Sequence, residues 1–177
     1  MPTPLSDEDF MSLAIAEAQA AEDAGEVPVG AIIVAPSGEI VGRGNNHVLR
    51  SNDPTAHAEI VALRATGIAL SNYRLLTPEG SCTLYCTLEP CAMCAGAILH
   101  ARIGRLVFAA RDPKAGACGS VLNVMNHAAL NHRVEVAEGV LAEECSAMLS
   151  GFFRGRRAAQ SLQTATSISA SDTLTEE

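Results

Sequence analysis

Two short segments of the sequence carry residue types that could bind a metal ion and move protons. The first is His57-Ala58-Glu59, and the second is Pro90-Cys91-Ala92-Met93-Cys94, further along the chain. Cys91 and Cys94 are three residues apart, so both thiols can reach one point from the first turn of a helix. His57, at the start of another helix, can supply a third ligand there. The pattern predicts a zinc site, because zinc binds sulfur and nitrogen ligands of this kind.

The number of ligands predicts a catalytic zinc site rather than a structural one. Three protein ligands leave the fourth tetrahedral position open to water, whose pKa zinc lowers to about 7. Glu59 lies two residues from His57 and is not needed as a ligand. A carboxylate there can take a proton from the water, pass it to a ring nitrogen and later protonate departing ammonia. An H-x-E and P-C-x-x-C pattern with these roles is typical of zinc nucleobase deaminases.

Hydrophobic periodicity and capping residues predict the elements that position these segments. Ser6 precedes a run of acids and Gly25 follows the apolar pattern, which predicts a first helix between them. Alternating residue types favour a strand before Pro90, and proline suits the first turn of the helix that follows. The predicted helices are Asp7–Ala24, His57–Thr66, Pro90–His100 and Leu141–Arg157, with a helical piece over Val121–Met125, and the predicted strands are Val29–Ala35, Ile40–Gly44, Cys82–Thr87, Arg105–Ala110 and Arg133–Ala137.

This order of elements predicts an α/β fold. The turn Pro36-Ser37-Gly38 joins the first two strands as a hairpin. The 22 residues between the last two predicted strands are enough for a parallel crossover. A sheet with both kinds of connection is mixed, and we expect five strands with helices on both faces, in three α/β/α layers.

The charge of the chain is unevenly distributed. The 177 residues include 12 Lys and Arg against 20 Asp and Glu, for a net charge of −8, and residues 1–42 contain eight acids and no Lys or Arg. A negative net charge argues against indiscriminate nucleic-acid binding. Two basic clusters could still meet a phosphate backbone locally, or could be ordinary solvated charge, and these are Arg102/Arg105/Arg111/Lys114 and Arg154/Arg156/Arg157.

The N-terminus and the cysteines predict a cytoplasmic protein. The acidic first ten residues lack the features of a secretory signal, and no segment reaches the roughly 18 uninterrupted apolar residues of a membrane span. In a reducing compartment, six cysteines are expected to be metal ligands, reactive thiols or small buried hydrophobes. We expect the cysteines outside the P-C-x-x-C segment to be buried hydrophobes, namely Cys82, Cys86, Cys118 and Cys145.

The folded domain is predicted to span residues 1–157. Residues 158–177 contain eight Ser and Thr and no aromatic residue, and their apolar residues follow no sustained period. A segment of this composition cannot bury enough apolar surface to offset its ordering. We therefore expect a disordered tail over residues 158–177.

Longer segments of the chain resemble one family, the bacterial tRNA-specific adenosine deaminases, which convert the wobble adenosine of an anticodon to inosine. The resemblance runs from about residue 8 to residue 157, and its most specific segments are DPTAHAE, TLEPCAMCAGA and ARDPKAGA. The zinc pattern alone would identify only the wider superfamily. The resemblance implies a cytidine-deaminase-like fold, one zinc ion per chain, a tRNA anticodon arm as substrate, and a homodimer in which the neighbouring chain helps to grip the anticodon loop.

The resemblance also implies roles for individual residues. They are zinc ligation by His57, Cys91 and Cys94, proton transfer by Glu59, hydrogen bonding of the flipped base by Asn46, contact with the preceding ribose by Asp112, and contact with stem phosphates by Lys114 and Arg156. Two departures concern the loops around the site. Asn45 stands where many similar sequences carry Trp, and the segment 77–82 is longer than usual.

The residues alone also allow three other functions. A lone C-x-x-C could be a redox pair, although the sequence lacks a thioredoxin-like Trp-Cys context. A deaminase of the same fold that acts on free guanine or cytosine would suit the acidic charge, but a free base offers nothing for Lys114 or Arg156 to hold. A silent subunit could keep zinc only for folding, but such a site has no use for an uncoordinated acid at Glu59.

Overall fold

The computed structural model describes residues 5–172. Five helices and seven strands follow one another in the order α1 Asp7–Asp23, β1 Gly30–Val34, β2 Ile40–Asn45, α2 Val48–Ser51, α3 Ala58–Ala69, β3 Leu76–Thr77, β4 Gly80–Ser81, β5 Thr83–Leu88, α4 Ala92–His100, β6 Arg105–Ala110, β7 Glu135–Glu138 and α5 Ala142–Asp172. Within the described residues, no helix is long and apolar enough to cross a membrane.

The main sheet has five strands in the order β2-β1-β5-β6-β7. β1 pairs antiparallel with β2 and β5, whereas β6 pairs parallel with β5 and β7. The predicted mixed five-stranded sheet is therefore confirmed. Because β5 and β6 are parallel, their carboxyl ends lie at the same edge, and the segments that follow them can meet there.

The two faces of the sheet are covered by different helices, which confirms the predicted three layers. Alternate residues of β1 separate the two cores: Ile33 packs with α3 and α4, whereas Ile32 packs with α1 and α5. The same alternation on β5 places Leu84 on the α3 and α4 side, and Tyr85 beside Phe10 of α1. Period-two burial of this kind is what a sheet covered on both sides requires.

Two glycines of β2 allow α3 to lie directly on the sheet. A Cβ atom at Gly42 would lie 2.9 Å from the carbonyl oxygen of Ala62, and one at Gly44 would collide with the backbone around Ala58. Distances this short exclude any larger residue at either position. The close approach fixes the first turn of α3, which carries Glu59.

The N-terminal helix forms as its capping residues predict. The Ser6 hydroxyl accepts a hydrogen bond from the backbone N–H of Asp9, whose carboxylate in turn accepts from the Ser6 backbone N–H. This capping box satisfies N–H groups that have no partner inside the helix. After the helix, Gly25 has a φ of +79°, which suits glycine.

Some predicted elements differ from the structure. The helical piece predicted over Val121–Met125 is wrong, because the N–H groups of Val121 and Leu122 both donate to the carbonyl of Gly116 and fold the segment into a turn. The last strand is β7, which begins two residues later than predicted. The short helix α2 and the β3–β4 hairpin were not predicted, and the hairpin overlaps the segment 77–82.

The C-terminal helix continues past its predicted end at Arg157. α5 extends through Asp172, so residues 158–172 are helical where we expected a disordered tail. Ala158, Ala159 and Gln160 are good helix formers, and neither Gly nor Pro interrupts the sequence after Arg157. Residues 158–164 are exposed and add nothing to the core. The domain boundary at residue 157 stays a prediction, and residues 173–177 lie outside the described residues.

Candidate active site

The starts of two helices bring the predicted metal-binding residues together. His57 is the N-cap residue of α3, and Cys91 is the N-cap residue of α4, with Cys94 in the first turn of the same helix. The sheet positions both starts, because α3 packs on β2 and α4 follows β5 at the sheet edge. A helix N-terminus carries a partial positive charge, which favours ionised thiols.

The spacing of the three donor atoms fits a tetrahedral zinc ion. His57 Nδ1 lies 3.7 Å from Cys91 Sγ and 3.6 Å from Cys94 Sγ. With zinc bonds of about 2.3 Å to sulfur and about 2.0–2.1 Å to nitrogen, tetrahedral angles place sulfur and nitrogen about 3.6 Å apart. Among the described residues, this is the one group of His, Cys, Asp and Glu whose donor atoms converge in this way.

The two thiols differ in how readily they ionise. Hydrogen bonds from Cys94 and from His57 lower the pKa of the Cys91 thiol to about 3. The thiol of Cys94 has its pKa raised, chiefly by the same hydrogen bond to Cys91 and then by burial. Two thiolates this close repel each other, and a divalent cation at their common point would remove the repulsion.

Glu59 lies in the first turn of α3, beside the converging ligands, and only 4% of it is exposed. Burial raises the pKa of its carboxyl group, and the charge of nearby His57 acts in the opposite direction. A buried carboxyl group whose pKa is raised is suited to exchange protons with a bound substrate. The role of Glu59 as a proton carrier stays a prediction.

Asn46 joins the end of β2 to the start of α3. Its side-chain oxygen accepts a hydrogen bond of 3.0 Å from the backbone N–H of Ala58, and its own backbone N–H donates to Val29. With the oxygen held, the side-chain amide nitrogen supplies two donors at the wall of the cavity. An amide fixed in this way can recognise acceptors on a planar heterocycle.

Asp112 and Lys114 lie on the segment that follows β6. One carboxylate oxygen of Asp112 accepts hydrogen bonds from the backbone N–H groups of Lys114 and Ala115, at 2.9 and 3.1 Å. Asp112 therefore closes the turn that presents Lys114. Among the described residues, the Lys114 ammonium has no ion-pair partner, and both side chains line the same cavity as Glu59.

A single cavity of about 890 Å³ connects these residues. Seven of the eight predicted site residues line it, and the exception is Cys94, which is fully buried behind them. Its outer wall is the face of α5 that bears Phe153, Arg154, Arg156 and Arg157. The Arg156 guanidinium also lies 5.6 Å from the ring centre of Phe152. The cavity thus runs from a buried acid to an arginine-rich rim.

The remaining cysteines are buried, free thiols, as predicted. Burial raises the pKa of all four, to about 12 for Cys118 and to about 11 for Cys145. They stay neutral at physiological pH. The side chain of His132, in a loop, makes a contact of 2.6 Å between its Nε2 and the carbonyl oxygen of Ile103. This contact explains the position of the histidine without a role in metal binding.

Two buried acids beside the cavity were not identified from the sequence. Glu26 accepts hydrogen bonds from the backbone N–H groups of Leu49 and Arg50 and pairs with the Arg50 guanidinium. Glu89 accepts hydrogen bonds from a loop that follows β6. Despite burial, these bonds lower the pKa of both carboxyl groups. The burial of Glu89 could have been predicted from the sequence, since this residue stands directly between an apolar strand and Pro90.

Asn45, where many similar sequences carry Trp, joins a hydrogen-bond network with Glu17 and Arg50. Its side-chain nitrogen donates to Glu17 of α1 at 3.0 Å, and its side-chain oxygen accepts from Arg50 at 3.0 Å. Arg50 also donates to the backbone carbonyl of Asn46. A polar network therefore holds the β2–α2 corner in this chain.

Comparison with known proteins places the chain in a family. Residues 4–110 match the cytidine and deoxycytidylate deaminase zinc-binding region. The chain is 51% identical over 166 residues to the tRNA-specific adenosine deaminase of Haemophilus influenzae, with 94% of each protein covered. It is 47% identical to the enzyme of the same name from Bacillus subtilis, covering 85% of this chain and 91% of that one.

Solved structures agree with the sequence relatives. A structure from a study of A-to-I editing by tRNA:A34 deaminases at the wobble position of transfer RNA superposes with a TM-score of 0.74 at 42% identity, covering 79% of this chain and 98% of that one. The guanine deaminase of Nitrosomonas europaea superposes with a TM-score of 0.75 at 26% identity, covering 86% and 87%. The tRNA deaminases and the guanine deaminase share this fold, whereas the higher sequence identity is with the tRNA deaminases. The chain belongs to the bacterial tRNA-specific adenosine deaminases, a branch of the zinc-binding cytidine and deoxycytidylate deaminase family.

Proposed function

We propose that this protein hydrolytically deaminates adenosine to inosine at the wobble position of a tRNA anticodon. The observation that carries the proposal is the cavity itself. At its inner end, a buried acid lies beside three donors spaced for zinc, and at its rim α5 presents three arginines. The inner end suits hydrolysis of an amino-substituted heterocycle, and the rim suits the phosphates of a polynucleotide.

His57, Cys91 and Cys94 are proposed to hold one zinc ion per chain. The fit rests on their donor chemistry and on the sulfur–nitrogen distances of 3.6 and 3.7 Å. When bound, zinc with one open position lowers the pKa of a water molecule toward about 7 and so supplies a nucleophile at neutral pH.

Glu59 is proposed to carry protons through the reaction. Its carboxylate takes a proton from the attacking water and passes it to a ring nitrogen of adenine, which makes the six-position electrophilic. A second proton, carried in the same way, leaves with the amino group as ammonia. Burial of the side chain keeps the proton from exchanging with bulk water between these steps.

The other site residues are proposed to hold the RNA. Adenine must leave its stack to enter the cavity, at a cost of a few kcal/mol, and the Asn46 amide is proposed to hydrogen-bond the extruded base. Asp112 is proposed to contact the preceding ribose, and Lys114 and Arg156 the phosphates. These remote contacts offset the cost of extrusion and align the base with Glu59.

A guanine deaminase is the second candidate, because its fold is equally similar. A free base would leave Lys114 and the α5 arginines without a partner, since it carries no phosphate. A cytoplasmic location is also part of the proposal. It is the location that the sequence predicts, and tRNA is modified in that compartment.

We expect the protein to deaminate a wobble adenosine in a folded anticodon arm much faster than free adenosine. The rate at subsaturating substrate should fall as salt rises, because phosphate contacts are screened. Mass analysis of anticodon fragments, compared with ammonia release from adenosine, guanine and cytosine, measures both effects. Comparable rates on free adenosine and on the arm, without salt dependence, would assign the protein to the nucleoside or free-base deaminases.

A homodimer is also part of the proposal. The sequence predicts that small residues of α4 permit close packing of a second chain, with Ala92, Ala95 and Gly96 as an example of such a face. Ala92 is exposed and a Cβ atom added at Gly96 would meet nothing within 4 Å, whereas Ala95 is fully buried and does not contribute to such a face. We expect sedimentation at micromolar concentration to show a dimer, and a monomer with full activity on tRNA would contradict this.

A further inference from the structure

Glu89 is a buried carboxylate to which the mechanism assigns no role. It follows β5 directly and lies two residues before Cys91, and it is only 2% exposed. A buried charge is retained in a fold only where hydrogen bonds replace its water. Within residues 5–172, its hydrogen-bond donors all lie on one segment, residues 111–120, which we call the substrate loop.

The contacts of Glu89 run along the whole substrate loop. One carboxylate oxygen accepts from the backbone N–H groups of Cys118 at 2.9 Å and Ser120 at 3.1 Å. The other accepts from the N–H of Asp112 at 3.0 Å and from the Ser120 hydroxyl. A single side chain thereby fixes both ends of the loop that carries Lys114.

The substrate loop also rests directly on the turn that carries the metal-binding cysteines. The N–H of Ala117 donates to the carbonyl of Pro90 at 2.8 Å, and Gly116 forms a β-bridge with Cys91. A Cβ atom at Gly116 would collide with the Glu89 carboxylate and would lie 2.6 Å from the carbonyl oxygen of Asp112. No space separates the loop from Glu89, so a change in one must displace the other.

We propose that Glu89 is a positioning residue that holds the substrate loop against the metal-binding turn, so that Lys114 and Asp112 reach the RNA while the base lies at Glu59. The proposal rests on the proposed function for its substrate. Glu89 is outside the group of converging metal-binding donors, and the proposal gives it no contact with the base. It acts through the distance that it fixes between the RNA contacts and the reacting end of the cavity.

The variant Glu89→Gln tests this role. Glutamine has the same shape as glutamate, but its amide NH2 group is a donor where the carboxylate has an accepting oxygen. The N–H groups of the loop that face this NH2 group would therefore be buried without an acceptor. We expect unchanged zinc content, faster hydrogen exchange at Asp112, Cys118 and Ser120, and a KM for the anticodon arm raised by about tenfold or more. We expect kcat to change less, and the salt dependence of binding to become shallower because Lys114 is released.

The variant Asp7→Asn is a matched control. Asp7, like Glu89, is a carboxylate that accepts several hydrogen bonds, two from Arg105 and one from Tyr85, but it lies on α1, away from the cavity. It should lower stability without changing the KM or the salt dependence. If the two variants changed KM equally, the effect of Glu89 would be general destabilisation and the proposal would be overturned.

The variant Gly116→Ala displaces the loop without changing a charge, and keeps the test available if Glu89→Gln does not fold. It should reproduce the raised KM and the faster exchange, and the double variant should be little worse than either single one. Unchanged exchange in the loop, or loss of zinc in Glu89→Gln, would overturn the proposal. Failure of the parent protein to deaminate the anticodon arm would count against the proposed function, not against this role of Glu89. Hydrogen exchange needs no substrate, so it would still show whether Glu89 holds the loop.

Discussion

Replacing Glu59 with Ala or Gln is expected to abolish turnover on the anticodon arm while zinc remains bound. The ligand set His57, Cys91 and Cys94 is unchanged, but no group remains at the inner end of the cavity to carry a proton. General acid–base groups typically contribute ~10²–10⁴ in rate, and Glu59 acts at more than one step. The loss should therefore reach the upper end of this range or exceed it.

The comparison of the two Glu59 variants separates chemistry from packing. Glu59 is buried, so Glu59→Ala leaves a cavity and lowers stability, whereas Glu59→Gln keeps the side-chain volume. Both should lose turnover equally, because neither can exchange protons. Single-turnover rates, metal analysis and thermal unfolding measure these effects. A Glu59→Gln variant with a rate within a few-fold of the parent would rule out the proposed proton carrier.

The metal-binding geometry could be predicted from the sequence because each part of it is local. Cys91 and Cys94 share one helical turn, and His57 begins a helix that an apolar stripe makes recognisable. What brings the two helices together is not local. It depends on Gly42 and Gly44, which admit α3 onto β2, and on the parallel pairing of β5 with β6.

The walls of the cavity were harder to predict, because their hydrogen bonds join distant parts of the chain. Glu26 binds N–H groups 23 and 24 residues away, and Glu89 binds groups 23 to 31 residues away. No periodicity records such pairs. The segment Val121–Met125 was missed for a different, local reason: Val121 and Leu122 donate to the carbonyl of Gly116, only five and six residues back, and apolar spacing does not distinguish such a turn from the helix that was predicted. Apolar patterns show which faces are covered, but not which buried acid holds a given loop.

Replacing either Cys91 or Cys94 with Ser is expected to remove most of the bound zinc. A serine hydroxyl stays protonated near neutral pH and is a poorer zinc ligand than a thiolate. Loss of an outer hydrogen-bonding partner already costs metal affinity 10- to 100-fold in typical sites, and loss of a direct ligand should cost more. Metal analysis after dialysis against a weak chelator measures the retained zinc, and activity on the anticodon arm should fall with it.

The variant Cys86→Ser is the matched control for Cys94→Ser. Both cysteines are fully buried, but Cys86 lies on β5, outside the group of converging donors, and burial raises its pKa so that it stays a neutral thiol. Cys86→Ser should keep its zinc and lose about 1–3 kcal/mol of stability, because it buries a hydroxyl group. Cys94→Ser should lose both zinc and stability, whereas Cys91→Ser, at a half-buried position, should lose zinc with less destabilisation. Full zinc retention in both Cys91→Ser and Cys94→Ser would mean that other side chains bind the metal.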